Sequence, residues 1–261
     1  MVPPISFVFM AVSVILSVGV PIALFFVVRK KYGKGILPVL VGAAGFLLFA
    51  MVLEQILHFF VLRPGADGSV ALRQQPFLYM LYGALAAGVF EETARFISFH
   101  ILKKRCDGFG TALKHGIGHG GLEAVIIGGA SLVSAMALAA MFNSVGAEGL
   151  STMGALVLEQ AQAIAAQPPV LFLVSGAERL MALGIHISLS VVVYYAVYKP
   201  RKLWLFPLAV LLHALADCPA ALFQAGVITS VWVVEGIVFL SMAALAIFAV
   251  VVHKRLEPEE T

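Results

Sequence analysis

Seven long apolar stretches dominate the sequence, and they restrict the chain to folds that a lipid bilayer can surround. They lie at 5–28, 36–62, 76–102, 117–142, 169–198, 203–223 and 227–253. A helix of about 20 apolar residues crosses the roughly 30 Å of hydrocarbon in a bilayer. Only 12% of the residues are charged, about half the share in a soluble domain. The sequence therefore predicts an all-α, polytopic, multi-pass cell-membrane protein with about seven transmembrane helices, forming one integral membrane domain over 1–261.

Positive charges alternate between the connections of these spans, and this alternation predicts an orientation. The connections after the first, third, fifth and seventh spans hold Arg29, Lys30, Lys31, Lys34, Lys103, Lys104, Arg105, Lys114, Lys199, Arg201, Lys202, Lys254 and Arg255. The opposite connections hold only Arg63 and Arg73. Because basic loops stay in the cytoplasm, we expect the N-terminus outside and the C-terminus in the cytoplasm. The 143–167 connection is then external, either as an interfacial helix over 150–166 or as a partly ordered surface loop.

Several classes of protein are disfavoured by composition. Cys106 falls in a predicted loop and Cys218 inside a predicted helix, so we expect no disulfide. No basic run is interleaved with aromatic residues, which argues against a nucleic-acid partner. The first apolar run lacks a basic leader and a clear cleavage site, so it is interpreted as a retained helix.

Ionisable residues recur inside four of the predicted spans, where each costs a few kcal/mol in lipid. Helical spacing places them on shared faces, and a rise of 1.5 Å per residue places most of them in one layer of the cytoplasmic half. We therefore expect a catalytic core at about 76–224. Its candidate catalytic residues are Glu91, Glu92, Arg95, His119, Glu123, His186, His213 and Asp217.

A buried network of ion pairs that only fixes helix packing is the plainest alternative for these residues. Three histidines argue against it, because they add proton-transfer chemistry that packing does not need. For Arg179 beside Glu178, packing and function remain equally compatible with the pattern. Packing or interfacial roles are favoured for the remaining ionisable residues of the spans and helix ends: Glu54, His58, His100, His115 and Glu235.

Peptide hydrolysis is the chemistry that this combination of residues fits best. It needs an activated water and donors for the developing oxyanion, and carboxylates, histidines and an arginine supply both. HExxH and GxSxG motifs are absent, and Asp217 is the one Asp within a span, which excludes a two-aspartate site. Zinc remains possible, held by some of His119, His186, His213 and Glu123. Since no zinc-specific spacing appears, a glutamate mechanism with no cofactor is favoured.

The order of four motifs resembles one protein family. The motifs are EExxR (Glu91, Glu92, Arg95), HGGxE (His119, Glu123), ERx₆H (Glu178, Arg179, His186) and HxxxD (His213, Asp217). They resemble the YhfC family of intramembrane proteases and, more distantly, the PrsW and the CAAX-processing and bacteriocin-immunity (CPBP) membrane proteases. The resemblance covers spans three to six.

That resemblance implies roles for individual residues. Glu91 would be the catalytic glutamate and Glu92 its partner. His119 or His186 would orient the water, and His213 with Asp217 would complete the site or the oxyanion hole. The family is described both as metalloprotease and as glutamate protease, so the resemblance leaves the metal open.

Two other functions compete with a membrane-embedded endopeptidase that cuts a membrane protein or peptide. A proton-coupled transporter or channel would also line an interior with Glu, His and Arg. Seven spans do not divide into two equal inverted repeats, however, and the polar residues form one layer instead of a path across the bilayer. A scaffolding membrane protein is the third hypothesis. We therefore predict a membrane-embedded endopeptidase.

Overall fold

The computed structural model describes residues 1–65 and 69–256, and within these ranges all regular structure is helical. A π-helical segment, Phe49–Glu54, joins α2 to α3, and a second one, Ala124–Ala130, joins α5 to α6. A short 3₁₀ helix, Ala71–Gln74, precedes α4. The all-α prediction is confirmed. The α-helices are α1 Pro4–Tyr32, α2 Leu37–Leu48, α3 Gln55–Leu62, α4 Pro76–Leu102, α5 Phe109–Glu123, α6 Ser131–Ser151, α7 Ala155–Ala166, α8 Pro169–Tyr198, α9 Leu205–Gln224 and α10 Val231–Leu256.

Six helical stretches in the described part of the chain are long and apolar enough to cross a membrane, so the protein is a multi-pass membrane protein. They are Pro4–Tyr32, Leu37–Leu62, Phe109–Ser151, Pro169–Tyr198, Leu205–Gln224 and Val231–Leu256. The remaining predicted span, at 76–102, forms α4. Its 27 residues extend about 40 Å, which is long enough to cross. It is less apolar than the six because it carries Glu91, Glu92 and Arg95.

The 143–167 segment, predicted to be a connection, is largely helical. The helical path that starts at Phe109 runs to Ser151, well past the predicted end at 142. Gly146 interrupts it with φ 70°, a value that suits glycine. After a short turn, α7 follows at Ala155–Ala166. The prediction of a helix there is confirmed, and the loop alternative is wrong in its local structure. The location of α7 at a membrane surface stays a prediction.

One of two compact units contains Met1–Ala23 and Glu123–Leu180. Within it, α1 buries a face with residues three or four apart, including Met10 and Ser13. The Ser13 hydroxyl donates to the Phe172 carbonyl over 2.7 Å, and Met10 packs in an apolar cluster with Phe172. A hydroxyl that donates to a backbone carbonyl has its hydrogen bond within the protein, so it can be buried among apolar residues.

Among the described residues, the second unit contains 24–65, 69–122 and 181–256. Its core is centred on the later part of α8, where every residue from 189 to 197 is buried. An apolar helix that is buried all round is typical of the centre of a bundle. The candidate residues in this unit come from four helices: α4, α5, α8 and α9. The prediction of a single domain with its catalytic core at 76–224 remains a prediction.

Lysine side chains join helix ends within the second unit. The Lys103 ammonium, after α4, donates to the Val197 carbonyl near the end of α8 over 2.7 Å. The Lys114 ammonium on α5 donates to the Gly33 carbonyl after α1 over 2.7 Å. Cations stabilise the carbonyl end of a helix. The basic connections are thus gathered at one end of the unit, and the side of the membrane on which they lie stays a prediction.

Candidate functional site

Glycines on α5 bring this helix close to α8. A Cβ added to Gly116 would lie 2.5 Å from Ile187 Cα, and one added to Gly120 would lie 2.8 Å from His186 Cβ. Small residues four apart let two membrane helices approach backbone to backbone. The approach leaves the rings of His119 and His186 5.1 Å apart, centroid to centroid. The GIGHGG sequence therefore serves to bring two histidines from different helices together.

A second close approach brings α4 against α9. A Cβ on Gly88 would lie 2.7 Å from the Val210 carbonyl oxygen, so there is no room for a side chain at this position of α4. One turn further along α4 come Glu91 and Glu92, and one turn further along α9 comes His213. Both carboxylates are buried, and His213 is only 2% exposed.

Glu91 lies at the centre of the resulting cluster, because one of its oxygens faces three histidines. Glu91 Oε2 is 2.8 Å from His119 Nε2, 3.7 Å from His186 Nδ1 and 4.0 Å from His213 Nε2. The histidines come from three different helices. We refer to the set that this arrangement connects as the carboxylate–histidine cluster: Glu91, Glu92, Arg95, His119, His186, His213 and Asp217.

Glu92 and Arg95 form the buried base of the cluster, and both are fully buried. Arg95 Nη1 donates to Glu92 Oε1, and Arg95 Nη2 contacts His186 Nδ1. Nη2 also lies 3.8 Å from Glu91 Oε2. The prediction that Arg95 reaches both carboxylates agrees with these contacts. A buried charge needs such partners, because its desolvation is otherwise uncompensated.

The hydrogen bonds fix which nitrogens of two histidines carry protons. A guanidinium only donates, so His186 Nδ1 accepts from Arg95 and its proton belongs on Nε2. A carboxylate accepts, so His213 Nδ1, 2.6 Å from Glu92 Oε1, donates. The other nitrogen of the His213 ring, Nε2, lies 3.5 Å from Asp217 Oδ2. The Asp217 side chain is 40% exposed, which makes it the accessible edge of the cluster.

Glu123, the remaining predicted catalytic residue, lies in the other compact unit. Its Oε1 accepts from Arg179 Nη1 over 2.9 Å, and Arg179 Nη2 donates to Glu178 over 2.5 Å. The structure therefore gives Arg179 two carboxylate partners, as the packing interpretation of that pair requires. A catalytic role for Glu123 stays a prediction.

Three residues of the cluster could hold a metal ion together. Glu91, His119 and His186 each offer a ligand atom, and these atoms lie within 4.8 Å of one another. One carboxylate and two imidazoles are an ordinary zinc donor set, so the residues fit the metal. Two of the metal-ligand candidates named from the sequence, His119 and His186, belong to this group, whereas Glu91 was not among those candidates. In the described chain, His213 and Glu123 are not part of this group.

Residues expected to have packing roles form contacts that suit them. Glu54 lies 3.2 Å from His58, whose other ring nitrogen is 2.8 Å from the Tyr82 hydroxyl. His115 Nδ1 is 3.1 Å from the Ser190 hydroxyl. Phe46 was not a candidate, yet its ring meets His119 edge to face with centroids 5.3 Å apart. No sequence signal distinguishes this Phe from the other apolar residues of its span.

Comparison with known proteins adds an independent line of evidence. A family model described as YhfC intramembrane metalloprotease matches residues 14–238, a range that contains the whole carboxylate–histidine cluster. The uncharacterized membrane protein YhfC of Bacillus subtilis (strain 168) is 37% identical over 260 residues, covering 98% of this chain and 99% of that protein. No solved structure matches the chain.

Proposed function

Because the chain belongs to the YhfC family of intramembrane proteases, we propose that the carboxylate–histidine cluster hydrolyses peptide bonds of membrane proteins. One observation carries the proposal: Glu91 Oε2 lies within 4.0 Å of a nitrogen from each of three histidines on separate helices. A purely structural ion pair needs one partner for a carboxylate. Three titratable rings around one carboxylate provide the groups for proton transfer in both directions.

Glu91 and His119 are the pair that we assign to water activation. The His119 Nε2–H donates to Glu91 Oε2 and holds that carboxylate in place, so the other oxygen is free to take a proton from water. The Glu91 side chain is 10% exposed, whereas that of Glu92 is completely buried. Glu91 is therefore the accessible carboxylate of the pair and the general base.

His186 and His213 are the groups that we assign to the other half of the reaction. With its Nδ1 bonded to Arg95, His186 has an Nε2–H that can donate to the developing oxyanion. Glu92 orients His213 through Nδ1, as a carboxylate orients a catalytic imidazole. His213 Nε2, beside Asp217 and 4.0 Å from Glu91 Oε2, can then receive the proton that Glu91 took from water and pass it to the leaving amine. Arg95 balances the charge of Glu92 and keeps this arrangement rigid.

A metal-dependent mechanism is the second candidate, and the grouping of one carboxylate with two imidazoles favours it. Glu91, His119 and His186 would hold the ion. When bound there, zinc would supply a Lewis acid and lower the pKa of water. The metal-independent glutamate mechanism predicted from the sequence differs in requiring no ion. Elemental analysis of active protein separates the two, since stoichiometric zinc whose removal by a chelator abolishes activity contradicts the glutamate mechanism.

Detection of new peptide termini is the experiment that tests the proposed function. The purified protein in lipid vesicles is incubated with a set of transmembrane peptides in H₂¹⁸O, and products are identified by mass spectrometry. We expect a defined cleavage with ¹⁸O in the new carboxyl group, and none with Glu91→Ala. Cleavage that persists in Glu91→Ala, or proton flux across vesicles without any cleavage, contradicts the proposal and favours a contaminating protease or a transporter respectively.

A further inference from the structure

A cavity of about 940 Å³ lies in the second unit, at the end where the basic connections gather. Its walls come from the end of α1, the connection between α4 and α5, the first turns of α5 and the ends of α8 and α10. We call it the basic cavity. The polar and charged side chains that line it are Tyr32, Arg105, Cys106, Asp107, Thr111, Lys114, Lys199 and His253.

Cations exceed acids in the lining of the basic cavity. Arg105, Lys114 and Lys199 face it with one carboxylate, Asp107. The Tyr194 hydroxyl and the Gly108 amide each donate to Asp107 Oδ1 over 2.7 Å. Of these, the Tyr194 hydrogen bond does most to lower the pKa of Asp107. That carboxylate is therefore ionised and already bonded to its own donors. Its single negative charge is outnumbered by the three cations, so the lining is net positive.

Arg105 is the side chain of the lining that is best placed to take a ligand. Its side chain is exposed and, among the described residues, has no hydrogen-bond or ion-pair partner, while its backbone amide donates to the Leu102 carbonyl over 2.8 Å. Its guanidinium presents donors in a planar fork that matches the oxygens of a phosphate. Lys199 contributes a second positive charge from the end of α8.

The walls of the basic cavity are held in place by contacts of their own. The Tyr198 hydroxyl donates to the Cys106 carbonyl over 2.8 Å, and the Tyr198 and Tyr194 rings stack with centroids 4.1 Å apart. Lys114 is buried and bonded to the end of α1, which keeps its charge at one position. A site that is rigid before binding loses less entropy on binding.

We infer that the basic cavity binds a phosphate-bearing anion. The first turn of α5 lies in the wall of the cavity, and the partial positive charge of this helix end adds to the charge of the side chains. The volume exceeds that of a phosphate alone and admits a glycerophosphate headgroup. Basic pockets between membrane helices at a bilayer surface are a recognised setting for anionic headgroups, and free inorganic phosphate offers the same chemistry.

Binding of short-chain phosphatidylglycerol and of inorganic phosphate to the full-length protein in neutral detergent tests this inference. Each is titrated by calorimetry, with short-chain phosphatidylcholine as the zwitterionic comparison. The test variant is Arg105→Gln with Lys199→Gln. We expect the test variant to bind the phosphate-bearing anion on the order of tenfold more weakly or worse, because it loses charge-assisted hydrogen bonds.

A matched double variant separates the cavity from general attraction to a basic surface. Lys30→Gln with Lys254→Gln removes the same charge from exposed residues that do not line the cavity, and we expect its affinity to stay within about twofold of the parent. Binding of phosphatidylglycerol alone identifies a lipid headgroup, and binding of inorganic phosphate as well identifies the phosphate group itself. Equal weakening in both double variants, or no binding of either anion, overturns the inference.

Discussion

Removal of Arg95 is the perturbation whose cost follows most directly from the structure. Arg95 is fully buried and bonds to Glu92, which is also fully buried. Arg95→Ala leaves Glu92 with His213 as its remaining partner in the described chain, in an interior where an unpaired charge is costly. Breaking a buried ion pair in this way costs about 3–5 kcal/mol. At about 2–4 °C per kcal/mol for a chain of this size, the melting temperature in detergent should fall by roughly 6–20 °C.

The stability of a double variant identifies the cause of that loss. Glu92→Gln with Arg95→Met removes both charges, so it should recover most of the stability lost in Arg95→Ala. Arg255→Met, at an exposed residue on α10, should change stability by no more than about 0.5 kcal/mol. Differential scanning fluorimetry in the same detergent measures all three. An Arg95→Ala protein as stable as the parent refutes the reasoning, as does a double variant no better than the single one.

Three further predictions address proton transfer, packing and topology. His213→Ala should abolish peptide cleavage with only modest destabilisation, and peptide cleavage measured beside melting temperature checks this; equal loss of both would assign His213 to packing. Gly120→Ala should lower the free energy of unfolding by about 1–3 kcal/mol through overpacking against His186. Gly83→Ala, with nothing within 4 Å of its added Cβ, should be neutral or stabilising by up to about 1 kcal/mol. Similar melting temperatures for the two variants would refute the packing argument. Reporter fusions should place 103–114 in the cytoplasm and 143–167 outside, and an external 103–114 would overturn the predicted orientation.

The membrane spans could be predicted from the sequence because they depend on local composition. Each apolar run needs only its own length to indicate a helix, and every predicted span lies on a helix in the structure. The ends of the helices were harder to predict from the sequence. The last part of α6, up to Ser151, contains residues such as Gly146 and Glu148. Its composition resembles that of a loop, so hydropathy gave no sign that the helix continues there. The two π-helical segments have no sequence signal that periodicity detects.

The layer of candidate residues could be predicted in part because membrane-embedded charges are costly and therefore conspicuous. Seven of the eight candidates meet in one cluster. Glu91 was not recognised as a potential metal ligand because its two histidine partners lie on other helices, and spacing within one helix cannot reveal them. Glu123 shares a helical face with His119 by spacing, yet its side chain pairs with Arg179. Which neighbour a side chain chooses depends on tertiary packing, which a single sequence does not contain.

In the proposed mechanism Glu91 serves catalysis rather than packing, and a matched pair of Gln variants tests this role most directly. Glu91→Gln keeps the side-chain volume but removes the base. Glu54→Gln makes the same change at another buried, histidine-paired glutamate. Cleavage of a transmembrane peptide and melting temperature are measured on the same samples. We predict that Glu91→Gln lowers the cleavage rate about 10²–10⁴-fold with little change in melting temperature, while Glu54→Gln cleaves at nearly the parent rate. Intact cleavage in Glu91→Gln, or unfolding of that variant, would contradict the account.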